Sequence, residues 1–156
     1  MTALLDSTLE FRCGQYRTEF HLPASIDGAS RHILLTIGTE FGAITMPADL
    51  GDGVQQWLAE SGIDGPVVAH PRALRWTFLT GPAHSDTLST AVSAELFRLY
   101  ATVAGTGSQV VLPSPQDERT GYRTWIRPPE VAAPQPPLSA VIAATREVGA
   151  RKNRTG

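Results

Sequence analysis

Six short apolar runs dominate this chain: HILLTIG (32–38), FGAITM (41–46), PVVA (66–69), RWTFLT (75–80), SQVVLP (108–113) and YRTWIR (122–127). Each is closed by glycine, proline or a polar turn. Runs this short, rich in Val, Ile, Thr and aromatic residues, suit strands and are too short for the helices of a bundle. Two spacings join them into pairs. Gly38-Thr39-Glu40 predicts a hairpin between the first two runs, and His70-Pro71-Arg72 turns PVVA onto RWTFLT.

Helical periodicity appears between these pairs. Leu50, Val54, Trp57 and Leu58 fall on one face behind Pro47, which suits a first helical turn, and Gly62 is a stop. Leu88, Val92 and Leu96 keep a helical stripe over 85–97, with Ser85 or Asp86 as its cap. RLYATV (98–103) alternates and reads as a strand, whereas Ser114–Thr120 reads as a polar loop. Within the first thirty residues, Leu4, Leu5, Leu9 and Phe11 fit a short helix or a strand, and Leu22-Pro23 followed by Ser25–Gly28 reads as a turn. The whole predicts one α+β domain with a mostly antiparallel sheet and two to three helices. Its segments are an N-terminal stretch of open structure (1–30), an α+β core (31–129), a stiff Pro-rich connector (130–137), a C-terminal helix (138–150) and a basic, fraying tail (151–156).

Composition narrows the function classes. With 156 residues, 42% hydrophobic and 18% charged, the chain has the profile of a soluble globular domain. No run approaches the ~20 apolar residues of a membrane span, and the N-terminus lacks the pattern of a secretory signal, so a cytoplasmic protein with no membrane partner is expected. One cysteine, Cys13, excludes an internal disulfide framework and reads as a small buried apolar residue. A net charge of −2 argues against a histone-like nucleic-acid binder. All basic residues except Lys152 are Arg, a bias that a GC-rich genome explains as well as a need for phosphate-binding forks.

Catalytic motifs are missing from the sequence. There is no P-loop, no dinucleotide fingerprint, no HExxH and no GxSxG. His21, His32, His70 and His84 share no ligand spacing and read as surface or turn residues. Two-metal phosphoryl transfer needs clustered carboxylates, and the candidate strands HILLTIG, FGAITM, PVVA and RWTFLT contain none. Glu40, Asp49 and Asp52 fall at turns or in a first helical turn, where acids complement the helix dipole. No cofactor, metal site or catalytic residue is therefore expected. The strongest binding cluster is LPSPQDERTGYRTWIRPP (112–129), with a hydroxyl at Ser114 and then Arg123, Trp125 and Arg127 at alternate positions of a strand. Such a row would pair phosphate and stack a base; the alternative is a sheet face with Trp125 in the core and both arginines snorkelling to water.

GPVVAHPRALRWTFLTGP followed by VVLPSP and GYRTWIRPP resembles the N-terminal domain of bifunctional DNA primase/polymerases, particularly the short actinobacterial type. The segment order is followed over residues 33–129, about two thirds of the chain, with Gly65-Pro66, Arg75-Trp76, Leu112-Pro113-Ser114-Pro115 and Trp125 as its anchors. Members that polymerise place paired carboxylates where this chain has Gly42, Ala43, Ile44 and Thr45, and a histidine on the strand that here reads Arg75-Trp76-Thr77-Phe78. The resemblance thus implies a degenerate, non-catalytic primase/polymerase-like domain that binds DNA or a nucleotide, or serves a replication or regulatory protein. Its implied contacts are Ser114, Arg123, Trp125 and Arg127, with Arg72 and Arg75 at the adjacent turn. Two other readings stand beside it: a protein-interaction or structural domain without a nucleic-acid role, and an active nucleotidyltransferase using Glu40, Asp49 or Asp52.

Overall fold

The computed structural model describes residues 2–84, 88–131 and 134–155. Helix α1 (Thr2–Thr18) leads into β1 (Ala24–Ile26), β2 (Ile33–Thr36) and β3 (Gly42–Pro47); α2 (Ala48–Glu60) is followed by β4 (Val67–His70) and β5 (Arg75–Thr80). Then come α3 (Thr90–Arg98), β6 (Thr102–Val103), β7 (Gln109–Leu112), α4 (Pro115–Thr120), β8 (Thr124–Arg127) and α5 (Leu138–Thr155). The fold is α+β, and all strand pairs are antiparallel. The strands form two sheets, one ordered β1-β2-β7 and the other β6-β3-β5-β4-β8.

Strand alternation sorts side chains onto the two faces of the larger sheet. Ile44, Met46, Val67 and Phe78 face one way, into a core closed by Leu50, Val54 and Leu58 of α2, Leu96 of α3 and Val141, Ile142 and Val148 of α5. Ala43 and Leu79 face the other way, into a second core with Cys13 and Tyr16 of α1, Ile33 and Leu35 of β2, and Val110 and Leu112 of β7. The small sheet and α1 thus cover part of the second face and leave a cleft over the rest, around Thr45 and Thr77, where Thr77 is itself only 4% exposed. Cys13 is buried there as a small apolar residue, and burial pushes its thiol up from the ordinary value.

The predicted hairpin between HILLTIG and FGAITM does not form. Gly38 closes only a local turn onto Phe41, and the chain crosses from the small sheet to the large one. Each strand has better partners: β3 pairs with β5 over its full length and with β6, while β2 lies between β1 and β7. The return crossing, from β6 to β7, is tied to the first where Ile37 donates to Ser108 and Gly107 donates to Ile37. The predicted turn between PVVA and RWTFLT is present, with β4 and β5 paired from Val67↔Phe78 to His70↔Arg75.

Among the described residues, five helices replace the expected two to three. The N-terminal stretch is mostly helix, and the polar loop at 114–120 is helix α4. Ser114 accepts a hydrogen bond from Asp117 N at 3.0 Å and Asp117 accepts one from Ser114 N at 3.3 Å, a capping box with proline at the first turn. Gly121, at φ 72°, ends it in the left-handed conformation that glycine tolerates. RLYATV is strand only at Thr102–Val103, because α3 continues through Arg98 and Tyr100, at φ 60°, redirects the chain. That helix is capped by Ser89, and the expected caps Ser85 and Asp86 lie outside the described residues. Pro47 ends β3 as the residue before α2 instead of occupying its first turn. The tail does not fray at 151: α5 runs to Thr155, with Arg151 over the Trp57 ring at 4.8 Å and Lys152 paired with Asp49 at 3.2 Å. The Pro-rich segment is laid across the domain, since Gly81 N donates to Pro136 O and Gly65 leaves room for the Pro136 ring.

Candidate functional site

The part of the large sheet around Thr45 and Thr77 is the floor of a cleft of about 460 Å³. Thr45 of β3, Arg75 and Thr77 of β5 and His70 of β4 all point into it from one sheet face. Thr102 and Ala104 form one side, and Gln109–Val111, on the strand that edges the small sheet, form the other. Arg123, just before β8, completes the lining. Among the described residues no carboxylate lines this cleft.

Its polar groups form a chain. Thr45 and Thr77 are cross-strand partners with hydroxyls 2.8 Å apart, and Thr77 Oγ1 lies 2.9 Å from His70 Nε2. Burial lowers the protonation of His70 below its ordinary range, reinforced by the positive charges of Arg123 and Arg75 and opposed by Asp117. The imidazole is therefore neutral at neutral pH. Arg75 is fixed by donating to the Tyr100 carbonyl at 2.8 Å and the Thr45 carbonyl at 3.3 Å. Arg123 is only 8% exposed. Its Nη1 donates to Asp117 at 2.8 Å, its guanidinium lies 4.9 Å from the Tyr122 ring centroid, and its buried Nε has no acceptor among the described residues. A guanidinium held this way keeps donor capacity beyond what the fold uses.

The six residues singled out from the sequence are not all brought together. Arg75 and Arg123 share the cleft. Arg72 stands beside Arg123, its guanidinium 4.9 Å from the same Tyr122 ring. Ser114 is buried as the cap of α4, and its partner Asp117 is the residue that holds Arg123. Trp125 lies on the inner face but is engaged by the protein: its indole N–H donates to Tyr16 Oη at 3.0 Å and the two rings meet edge to face. Arg127 is elsewhere. A β-bulge opposite Val67 and Val68 pairs Trp125 with Val68 but Arg127 with Val67, so Arg127 turns to the opposite face. There it pairs with Asp64 at 2.8 Å and Glu130 at 3.0 Å beside a Pro-lined crevice. An unbroken Arg–Trp–Arg row therefore does not exist.

Sequence reasoning missed Thr45, Thr77 and His70. Each occupies an ordinary strand position, and their convergence depends on the β3–β5–β4 register. The acidic alternatives lie away from the cleft: Glu40 lines a separate cavity with Phe20 and His21, Asp49 pairs with Lys152, and Asp52 accepts from Gln56. Among the described residues no cluster of three or more His, Cys, Asp or Glu is placed to hold a metal ion, and no helix is long and apolar enough to cross a membrane. No family model, curated protein or solved structure matches this chain.

Proposed function

We propose that the cleft binds the phosphate group of a nucleotide or of single-stranded nucleic acid, and that the domain is a small binding or regulatory module without two-metal nucleotidyl transfer. One observation carries this reading: Arg75 and Arg123 face the same cavity with no carboxylate in its lining, and Arg123 retains an unused buried donor. Guanidinium forks match phosphate geometry, and a low-dielectric, like-charged cleft concentrates anions. Tyr122, half exposed beside Arg72 and Arg123, supplies a ring on which a base can stack. The resemblance to primase/polymerase domains supports the same place, because Thr45 and Thr77 stand on the two strands where that family carries its carboxylates and histidine. Trp125, Ser114 and Arg127 then act around the site or outside it instead of touching the ligand.

The test is fluorescence anisotropy of labelled single-stranded and primer–template DNA across a salt series. Binding is expected to weaken steeply with salt, and Arg75→Gln and Arg123→Gln are each expected to cost about tenfold and flatten the salt dependence by about one contact. Arg127→Gln, outside the cleft, is expected to change affinity less than twofold. No binding at low salt, or equal loss for all three variants, removes this reading.

A second reading, a protein-interaction domain, is favoured by Leu74, Phe97 and Tyr100, which are 71%, 81% and 74% exposed. Arg75 holds the Tyr100 carbonyl, which brings this rim to the edge of the cleft. Exposed large apolar groups of this kind mark contact surfaces. A pull-down that recovers a stoichiometric protein partner, lost on Phe97→Ser with Tyr100→Ser, would favour it over the first.

A further inference from the structure

Thr77 and His70 have the arrangement of a nucleophile and its base. Thr77, 4% exposed, lines the cleft with its Oγ1 2.9 Å from His70 Nε2 and 2.8 Å from Thr45 Oγ1. In the arrangement with the His70 proton on Nδ1 and Thr45 donating to Thr77, the Thr77 proton points at His70 Nε2, which can accept it. Both hydroxyls and the ring are carried on the three central strands, β3 and β4 each paired with β5 between them, a rigid mount for such a pair. The charged groups around them are Arg75 on β5, Arg123 from the segment before β8, and Asp117 of α4 behind Arg123. The charged side chains that line the cleft are thus two cations, a sign that stabilises the negative charge of a bound phosphoryl group.

We propose that Thr77 accepts a phosphoryl group from an acyl phosphate held in the cleft, with His70 as the base, and that the modified cleft no longer binds an external phosphate. This rests on the cleft's holding a phosphate group, as argued above. Thr77 Oγ1 forms a bond to phosphorus, and the bond from phosphorus to the bridging oxygen breaks. The acyl group leaves as a carboxylate with that oxygen and the bonding pair. The Thr77 proton passes to His70 Nε2 and then to water. The neutral state of His70 at neutral pH leaves it free to accept the proton. Phosphothreonine so formed would lie between Arg75 and Arg123 and occupy the anion site with the protein's own charge.

The experiment uses the full chain incubated with acetyl phosphate, followed by intact mass, peptide mapping and DNA anisotropy. The expected result is one acid-stable phosphoryl group on the peptide that carries Thr77, retained in Thr77→Ser, lost in Thr77→Val and formed about 100-fold more slowly in His70→Gln. Modified protein is expected to bind DNA at least tenfold more weakly than unmodified protein. No adduct on the wild type, an adduct that persists in Thr77→Val, or an acid-labile adduct on His70 overturns the proposal. DNA binding without any adduct leaves the cleft a binding site and defeats only the transfer. An adduct on Thr77 without DNA binding supports the transfer and removes the nucleic-acid reading.

Discussion

Replacing Tyr16 by phenylalanine tests how the two sheets are joined. Tyr16 is 2% exposed, and its hydroxyl donates to the Pro113 carbonyl at 2.6 Å while accepting the Trp125 indole N–H at 3.0 Å. One oxygen atom therefore ties α1 to the residue after β7 and to β8 of the other sheet. Phenylalanine keeps the ring and its edge contact with Trp125, so little apolar burial is lost. It strands the buried Pro113 carbonyl, which costs about 1–3 kcal/mol, and leaves the half-buried indole N–H unpaired for roughly 1 kcal/mol more. The expected loss is about 2–4 kcal/mol, and at this chain length each kcal/mol lowers Tm by about 2–4 °C, so a fall of roughly 4–16 °C should accompany it. Urea unfolding followed by circular dichroism should show an earlier midpoint with an unchanged slope. Trp125→Phe in the same background should then cost about 1 kcal/mol less than it does alone, because its partner is already gone. A loss below about 0.5 kcal/mol for Tyr16→Phe, or strict additivity of the pair, would refute the claim that this hydroxyl joins the sheets.

Acid should destabilise the fold partly through His70. Its folded-state affinity for protons is lowered by burial and by Arg123 and Arg75, so below its ordinary value of 6.5 the unfolded chain binds more protons. Stability therefore rises with pH through the window from the folded value up to about 6.5 and is fully present above it; the unfolding midpoint of wild type should fall relative to that of His70→Gln as pH is lowered from about 7.5 through 6.5. Gly65→Ala should destabilise by about 1–3 kcal/mol, since the new Cβ meets the rigid Pro136 ring; a thermal midpoint equal to wild type would show that the Pro-rich segment is not packed there. Leu58→Ala, in the helix-side core, should cost about 2–5 kcal/mol in urea unfolding and leave anisotropy binding unchanged at a temperature where both proteins are folded. A binding defect in that variant would mean that the two faces of the large sheet are coupled.

What could be read from the sequence depended on whether a signal was local. The β4–β5 hairpin was legible because a short apolar run, its turn and the alternating run RWTFLT are contiguous in the sequence. The apolar face of α2 was legible from its spacing. Helix α4 was legible in principle, since Ser114-Pro115-Gln116-Asp117 carries a capping signature that outweighs its polar composition. The failed hairpin between β2 and β3 shows the limit. A short Gly-containing link is necessary for pairing but not sufficient, and here both strands bury apolar residues in ways that one hairpin cannot satisfy: Ile33 and Leu35 need the α1-side core, whereas Ile44 and Met46 need the helix-side core. The cleft was illegible for the same reason. Thr45, Thr77 and His70 are unremarkable singly, and they become a polar chain only when β3, β5 and β4 pair in the observed register. Arg123 and Arg127, four residues apart with the same chemistry, are parted by one β-bulge that no residue type announces. A site assembled from cross-strand neighbours is a property of register, and register is decided by which core each face must enter.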